Sequence, residues 1–127
     1  MKRKRVLILD DEKEICFLLS ALLRKMGYYT DYAYTIEEAM GKIKDSDDDF
    51  DIVFVDLNLP DGLGYYLVPD IKHHNPDSKV IMISAHDAMI RQIKEEKEEI
   101  DYFIDKPFNR EKISEALQHV IEQKNHL

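Results

Sequence analysis

Four short runs of consecutive apolar residues divide the chain, and each has the length of a β-strand. The runs are Val6 to Leu9, Ile52 to Val55, Val80 to Ile83 and Tyr102 to Ile104. Because these runs are continuous rather than alternating, they indicate strands covered on both faces, as in a parallel sheet. A weaker, tyrosine-rich run from Tyr28 to Tyr34 is typical of an edge strand.

Stretches with the apolar spacing of a helix alternate with these runs. The first stretch has its apolar positions at Ile15, Leu18, Leu19, Leu22, Leu23 and Met26. Their spacing of three and four residues predicts a helix with these side chains inward, and Gly27 supplies its stop. Thr35 and Glu38 form a capping box, which predicts a second, short helix directly after them.

The second half of the chain is predicted to hold three more helices. One should lie between Tyr65 and His74, and another from about Asp87 to Glu98. Asn109 is a candidate N-cap for the last helix. On one side that helix would carry Ile113, Leu117, Val120 and Ile121. Right-handed crossovers would then give a doubly wound α/β fold: a five-stranded parallel sheet with helices on both faces, as one domain over residues 1–127.

Composition and charge narrow the classes of function. The net charge is −8, from 26 acidic against 18 basic residues, which argues against direct nucleic-acid binding. Cys16 is the single cysteine, so no disulfide can form within the chain, and a reducing compartment is indicated. No apolar run approaches the ~20 residues that span a membrane, and nothing resembles a signal peptide. We therefore expect a cytoplasmic protein without a membrane partner.

Polar side chains stand directly after the predicted strands. Asp10 and Asp11 follow the first strand, Asp56 the third, Ser84 the fourth, and Asp105, Lys106 and Pro107 the fifth. Each has an ordinary interpretation by itself: Asp11 as a helix cap, Ser84 as a turn residue, Lys106 as a solvated lysine. However, the carboxyl ends of parallel strands meet at one edge of a sheet, where ligands bind. Together the residues predict one crevice whose carboxylates repel one another unless a cation is present.

The residue types in this crevice indicate phosphoryl chemistry on a metal ion. Carboxylate oxygens favour a hard divalent ion such as magnesium, and a set without sulfur or imidazole does not suit zinc. A carboxylate can also attack phosphorus and form an acyl phosphate. A lysine would add a second cation, and a hydroxyl would donate to a phosphoryl oxygen. One carboxylate would then be the nucleophile while the others hold the metal.

These residues resemble the receiver domain of two-component response regulators over essentially the whole chain. The resemblance is carried by Asp10 and Asp11, the lone Asp56, Ser84, the Lys106–Pro107–Phe108 segment, and DLNLPDGLG with its Pro60 and Gly64. It implies a flavodoxin-like strand order of 2-1-3-4-5. It also implies a signalling switch rather than an enzyme, in which Asp56 accepts a phosphoryl group from a histidine kinase or a histidine phosphotransfer protein.

The resemblance implies a metal and phosphate site with defined roles. Asp11 and Asp56 would bind Mg²⁺, or alternatively Mn²⁺, together with the backbone carbonyl of Asn58. Asp10 would act largely through bound water. Lys106 would bind the phosphoryl group.

The resemblance further implies a switch. Ser84 would supply the switch hydroxyl and Phe103 the switch aromatic ring. They would bias a surface made of the fourth helix, the fifth strand and the fifth helix, through which a homodimer could form. Asn58 and His86 would influence the lifetime of the phosphoryl group, although His86 could equally be an exposed loop residue. The peptide bond between Lys106 and Pro107 is often cis in this family.

Several positions depart from the family pattern. Glu99 and Ile100 stand where Gly-Ala is usual, so this loop must avoid a positive φ at Glu99. Leu63 replaces an Asp that is common before the following glycine. Pro69 falls where the third helix should already run, which predicts a late start or a kink. Phe103 replaces the commoner Tyr and cannot donate a hydrogen bond when it turns inward.

Two other classes of function compete with this interpretation. A phosphatase of the haloacid dehalogenase type also uses an Asp after a strand, but it needs a second Asp two residues on, where Asn58 stands. A binding module that works without phosphorylation is disfavoured by the intact acidic set. Within the main interpretation, the chain could act alone, as a relay intermediate, or as the receiver of a longer protein.

Overall fold

A five-stranded parallel sheet forms the centre of the protein. The computed structural model describes residues 4–45, 49–85 and 99–124. The strands within these ranges are β1 (Arg5–Leu9), β2 (Tyr29–Ala33), β3 (Ile52–Asp56), β4 (Asn58–Leu59), β5 (Gly62–Leu63), β6 (Lys79–Ser84) and β7 (Tyr102–Asp105). Strands β4 and β5 form a separate antiparallel hairpin, and the other five pair in the order β2-β1-β3-β6-β7. Their pairings are all parallel. The predicted order 2-1-3-4-5 of the long strands is therefore confirmed.

Helices connect the strands of the sheet. They are α1 (Lys13–Lys25), α2 (Ile36–Asp45), α3 (Val68–His74) and a C-terminal helix (Arg110–Lys124), with a 3₁₀ turn (Gly64–Leu67) before α3. The helix predicted from about Asp87 to Glu98 lies outside the described residues. Among the described helices, none is both long enough and apolar enough to cross a lipid bilayer.

The helices cover both faces of the sheet, which is the predicted doubly wound arrangement. Side chains alternate along a strand, so Val6 and Ile8 face one layer of helices while Leu7 and Leu9 face the other. The first layer consists of α1 and the C-terminal helix, and the second of α2 and α3. All the residues of the central strand β3 are buried. A strand that has helices packed on both of its faces has no side exposed to solvent, and this is why the apolar runs are continuous.

Helix α1 buries a narrower stripe than its sequence predicts. Its buried residues are Cys16, Leu19 and Leu23. Leu18, which was expected to point inward, is 49% exposed. The apolar positions span two neighbouring stripes, because Leu18 is displaced from Leu19 by about 100° around the helix axis. The helix stops as predicted: Gly27 has a φ of 95°, and the Tyr28 N–H donates to the Leu23 carbonyl over 3.0 Å.

The other helices begin at the residues that their sequence indicates. Thr35 Oγ1 accepts the Glu38 N–H over 3.1 Å at the start of α2. Asn109 Oδ1 accepts the Lys112 N–H over 2.9 Å before the C-terminal helix. Pro69 lies in the first turn of α3, where its missing N–H leaves no helical bond unmade. The predicted late start of this helix is confirmed.

Candidate functional site

Three carboxylates meet at the carboxyl edge of the sheet. Asp10 directly follows β1 and Asp56 ends β3, and these two strands are neighbours in the sheet. Asp10, Asp11 and Asp56 each offer one oxygen, and these oxygens lie within 4.8 Å of one another. Asp10 and Asp56 are buried, whereas Asp11 is exposed. The strand topology thus brings these three side chains into one crevice.

Lys106 supplies the positive charge of this crevice. Its Nζ lies 2.9 Å from Asp10 Oδ2 and 3.3 Å from Asp56 Oδ2. It also lies 3.7 Å from Glu12 Oε2, a neighbour that the sequence argument missed although Glu12 belongs to the same acidic run. Burial alone would lower the pKa of Lys106, but the contact with Asp10 and the charge of Asp56 outweigh it and raise that pKa. The side chain is therefore held as an ammonium ion.

One lysine does not neutralise the buried carboxylates. Burial raises the pKa of Asp56 to about 6, the charge of Asp10 adds to the rise, and Lys106 and the Asn58 amide oppose it. Burial also raises the pKa of Asp10, against the Glu12 amide and Lys106. Three carboxylates beside one lysine leave an excess of negative charge in the crevice. The crevice is electrostatically suited to a further cation.

The available ligand atoms fit a hard divalent ion. Asp10 Oδ2 is buried and receives no well-directed hydrogen bond from the described part of the chain, although Lys106 Nζ lies close to it. A buried oxygen in this state gains a partner when a metal ion or its bound water enters. Carboxylate ligands suit Mg²⁺ or Mn²⁺, whereas Zn²⁺ prefers nitrogen and sulfur. Asp10, Asp11 and Asp56 could together hold such an ion.

The ends of β6 and β7 carry the other predicted site residues. Ser84 is buried, and its backbone carbonyl accepts the Lys106 N–H over 3.0 Å. The peptide bond between Lys106 and Pro107 is cis, as the family resemblance implies. Phe103 is half-buried and packs against the α2–α3 layer. No described residue other than glycine has a positive φ, so Glu99 avoids that conformation as expected.

A small hairpin after Asp56 was not predicted. Strands β4 and β5 pair Asn58 with Leu63 and Leu59 with Gly62. The Asn58 N–H points to Asp56 Oδ1 over 3.4 Å, so the hairpin begins against the carboxylate. The available signal was the stretch Leu-Pro-Asp-Gly-Leu, because Pro-Asp-Gly between apolar residues favours a turn. His86, the other residue expected beside Asp56, lies outside the described residues.

The chain returns over the end of β3 immediately after the hairpin. The Gly64 N–H donates to the Leu57 carbonyl over 2.7 Å. A β-carbon on Gly64 would lie 2.1 Å from the Asp56 carbonyl oxygen and 2.6 Å from Val55 Cγ1. Glycine is therefore required here, and it lets the loop lie directly on the strand that carries Asp56.

Asp61 attaches the hairpin to helix α2. Its two carboxylate oxygens accept the N–H groups of Ile36 over 3.0 Å and of Glu37 over 3.1 Å. Together with the Thr35 cap, they give the first three amides of α2 an acceptor. The Ile36 amide, followed by the Glu37 amide, lowers the pKa of Asp61. This carboxylate thus holds the loop that contains Asn58 in place against the helix.

Replacing Asp61 with Ala is expected to destabilise the protein and to speed amide exchange at Ile36 and Glu37, because two helix-terminal N–H groups lose their acceptor. Asp61→Asn keeps one acceptor oxygen and should give an intermediate result. The folded pKa of Asp61 is lowered, so its stabilising effect is present above the unfolded pKa and is lost as the pH falls through the folded pKa.

Hydrogen exchange followed by NMR, together with thermal unfolding at several pH values, would measure both effects. Asp77→Ala removes another exposed carboxylate and serves as the control. Equal exchange rates at the α2 amides in all these proteins would contradict a capping role for Asp61.

The chain is similar to known receiver proteins over most of its length. The family model described as response regulator receiver domain matches residues 6–118. The chemotaxis protein CheY of Thermotoga maritima is 33% identical over 118 residues, which cover 92% of this chain and 97% of CheY. The crystal structure of a CheY-like receiver domain protein from Methanospirillum hungatei superposes with a TM-score of 0.87 at 26% identity, covering 98% of each chain.

Other relatives are much longer than this chain. The response regulator protein PilR of Pseudomonas aeruginosa is 31% identical over 125 residues, which cover 98% of this chain but only 28% of PilR. The chain therefore spans about a quarter of the length of that relative, and nearly all of CheY.

Proposed function

Because the chain belongs to the response regulator receiver domain family, we propose that Asp56 accepts a phosphoryl group from a phosphohistidine donor in the presence of Mg²⁺. The observation that carries this proposal is the crevice itself, where Lys106 Nζ lies 3.3 Å from Asp56 and 2.9 Å from Asp10. The family is one of signalling switches, so the phosphorylated protein, rather than a released product, is the outcome of the reaction.

Asp56 would act as the nucleophile. One of its carboxylate oxygens forms a bond to phosphorus while the bond from phosphorus to the imidazole nitrogen of the donor breaks. The nitrogen keeps the electron pair of that bond, and the imidazole returns to its neutral form with a proton from water. With a pKa of about 6, Asp56 is mainly ionised at neutral pH, as this step requires.

Asp11, Asp56 and the backbone carbonyl of Asn58 would hold Mg²⁺, or Mn²⁺ in its place, with Asp10 acting largely through bound water. The ion would supply positive charge against the phosphoryl oxygens. The close approach of the Asp10, Asp11 and Asp56 oxygens supports this ligand set. The hairpin that begins at Asn58 would position the carbonyl ligand, and Asn58 and His86 would influence how long the phosphoryl group persists.

Lys106 and Ser84 would respond to the new charge. Lys106 contacts both Asp10 and Asp56 before the reaction, and it would pair with a phosphoryl oxygen afterwards. Ser84 ends the strand between those of Asp56 and Lys106, so its hydroxyl would need only a short movement to donate to the phosphoryl group. That movement would let Phe103 repack and would alter the surface formed by the predicted fourth helix, β7 and the C-terminal helix, where a homodimer could form.

A partly exposed and mainly apolar surface beside the crevice would receive the donor protein. Its residues are Ile15, Leu18, Ala85, Pro107 and Phe108, which surround Lys106 around a pocket of about 480 Å³. A phosphohistidine must reach Asp56 directly, so its protein has to cover this edge of the sheet. We propose that a histidine kinase or a histidine phosphotransfer protein packs apolar side chains here, which would explain why Leu18 is exposed.

Mass spectrometry after incubation with acetyl phosphate and Mg²⁺ tests the proposed reaction. We expect the mass of one added phosphoryl group in the wild-type protein, and none in Asp56→Asn or in the presence of EDTA. Asp77→Asn, a change of an exposed carboxylate away from the crevice, should be phosphorylated like the wild type.

Two results would contradict this function. The first is the absence of a mass gain in the folded wild-type protein, and the second is an unchanged gain in Asp56→Asn. Sustained release of phosphate from a phosphate monoester would instead favour the phosphatase class.

A further inference from the structure

A second apolar surface lies between helix α1 and the edge strand β2, apart from the carboxylate crevice. This α1–β2 groove has a volume of about 380 Å³. The residues that define it are Lys13, Phe17, Ala21, Arg24, Tyr32 and Tyr34. The buried thiol of Cys16 contributes to its floor.

The groove exposes aromatic side chains to solvent. Phe17 is 79% exposed and Tyr32 is 44% exposed. The rings of Tyr32 and Tyr34 lie 5.3 Å apart and are tilted against each other. Along α1, the groove follows positions 13, 17, 21 and 24, which form one face over about 16 Å of helix. A contiguous exposed surface of this kind is typical of a protein interaction site.

Two basic side chains line the groove of this acidic protein. The net charge of the chain is −8, yet Lys13 and Arg24 stand at the two ends of the groove, and no acidic side chain of the described residues lines it. Lys13 Nζ lies 5.6 Å from the centre of the Tyr34 ring. A partner that complements this surface therefore combines apolar side chains with carboxylates at both ends.

At Tyr32, the backbone of the edge strand beside the groove is already hydrogen-bonded and cannot pair with an added β-strand. The Tyr32 N–H donates to Asp31 Oδ1 over 2.8 Å, and the Tyr32 carbonyl accepts from Lys42 Nζ over 2.5 Å. These are backbone groups that an added strand would need, because Tyr29 and Ala33 already bond to β1 and its flanking residues. Binding through side chains, as in a helix lying in a groove, remains available.

We propose that the α1–β2 groove binds an acidic amphipathic helix of a partner protein. The apolar face of that helix would pack on Phe17 and Tyr34, and its carboxylates would pair with Lys13 and Arg24. The groove does not include the crevice residues, so this binding is a property separate from the phosphorylation of Asp56.

NMR titration of the isotope-labelled full chain tests the proposal. The probe is a synthetic peptide of about 18 residues, long enough to be helical by itself, with Leu and Phe on one face and Glu at both ends. We expect saturable shifts confined to the amides of residues 13–24 and 32–34. Phe17→Ser and the double change Lys13→Glu with Arg24→Glu should each weaken binding by about tenfold or more.

The controls distinguish binding in the groove from non-specific hydrophobic binding elsewhere on the protein. Tyr66→Ser removes a comparably exposed ring, 71% exposed, from another surface and should leave the affinity unchanged. The same peptide with Lys in place of Glu, and a peptide that alternates apolar and acidic residues as a strand does, should bind at least about tenfold more weakly.

Three outcomes would overturn the proposal. One is the absence of saturable shifts in the groove. Another is peptide binding by the Phe17→Ser variant that is as tight as binding by the wild type. The third is a set of groove shifts that depend on protein concentration without peptide, because a second copy of the chain would then be the occupant. Thermal unfolding of each variant would show that the substitutions leave the fold intact.

Discussion

Replacing Asp56 with Asn is expected to raise the free energy of unfolding of the metal-free protein by about 3 kcal/mol near neutral pH. Burial raises the pKa of Asp56 from 3.8 to about 6, and the charge of Asp10 contributes to the rise. The ionised carboxylate is therefore disfavoured in the folded protein relative to the unfolded chain. Asp56 is only 5% exposed, so solvent does not relieve this cost. An uncharged amide of the same shape removes it.

The increase in the free energy of unfolding caused by Asp56→Asn should depend on pH in a defined direction. The folded pKa of Asp56 lies above its unfolded pKa, so the stability from this group is fully present below about pH 4 and is lost as the pH rises through about 6. The advantage of Asp56→Asn should therefore be small at about pH 4 and complete above about pH 6.

Urea unfolding in EDTA over a series of pH values would measure this difference. Asp77→Asn should unfold like the wild type throughout, because that carboxylate is exposed. Added Mg²⁺ should reduce the advantage of Asp56→Asn by stabilising the wild type, which keeps the proposed carboxylate ligand. A variant that is less stable than the wild type at every pH would show that the crevice does not disfavour the charge.

Replacing Gly64 with Ala is expected to destabilise the protein by about 3 kcal/mol or more, with loss of the proposed phosphoryl transfer to Asp56. The new β-carbon would lie 2.1 Å from the Asp56 carbonyl oxygen. This oxygen is a backbone atom of the central strand, so it cannot rotate away as a flexible side chain could. Either the loop or the strand must move. Both hold parts of the proposed metal site, since the loop contains Asn58.

Gly41→Ala is the matched control for this change. Gly41 lies within helix α2, and a β-carbon there would meet no atom within 4 Å. Alanine favours the helical backbone over glycine, so this variant should be more stable than the wild type by about 0.5–1 kcal/mol. Urea unfolding of both variants would compare them. A Gly64→Ala protein as stable as the wild type would contradict the close approach of the loop to β3.

The fold could be predicted because a strand covered on both faces leaves a clear pattern. The runs Val6 to Leu9 and Ile52 to Val55 are apolar throughout, and both are buried in the sheet. Helical spacing between such runs then indicates a doubly wound sheet. Apolar runs do not say which strand neighbours which, so the order 2-1-3-4-5 came from the family resemblance, and the structure confirms it.

Finer features of packing could not be read from spacing alone. Leu18 and Leu19 are equally apolar, and only the path of α1 across the sheet decides which of them is buried. The Asp61 cap joins residues 24 and 25 positions apart, which a local pattern cannot reveal. The hairpin had a turn signature, but strands of two residues are too short to show any periodicity.

The candidate site was predictable to the extent that topology alone dictates it. Strand ends in a parallel sheet meet at one edge, and Asp10, Asp56 and Lys106 are found together there. Glu12 belongs to the same acidic run, but its contact with Lys106 depends on a side-chain conformation that the sequence does not give. The roles of Ser84, Phe103 and Asn58, and that of His86 beyond the described residues, stay predictions.

Lys106 supplies the crevice with a positive charge that belongs to the polypeptide itself and does not depend on a bound ion. Its ammonium lies 2.9 Å from Asp10 and 3.3 Å from Asp56, so every newly made molecule has one positive charge available to these carboxylates. We therefore expect the protein to fold without a divalent ion, so that binding of the proposed ion can follow folding. A change in magnesium supply would then alter the fraction of molecules that carry the proposed ion.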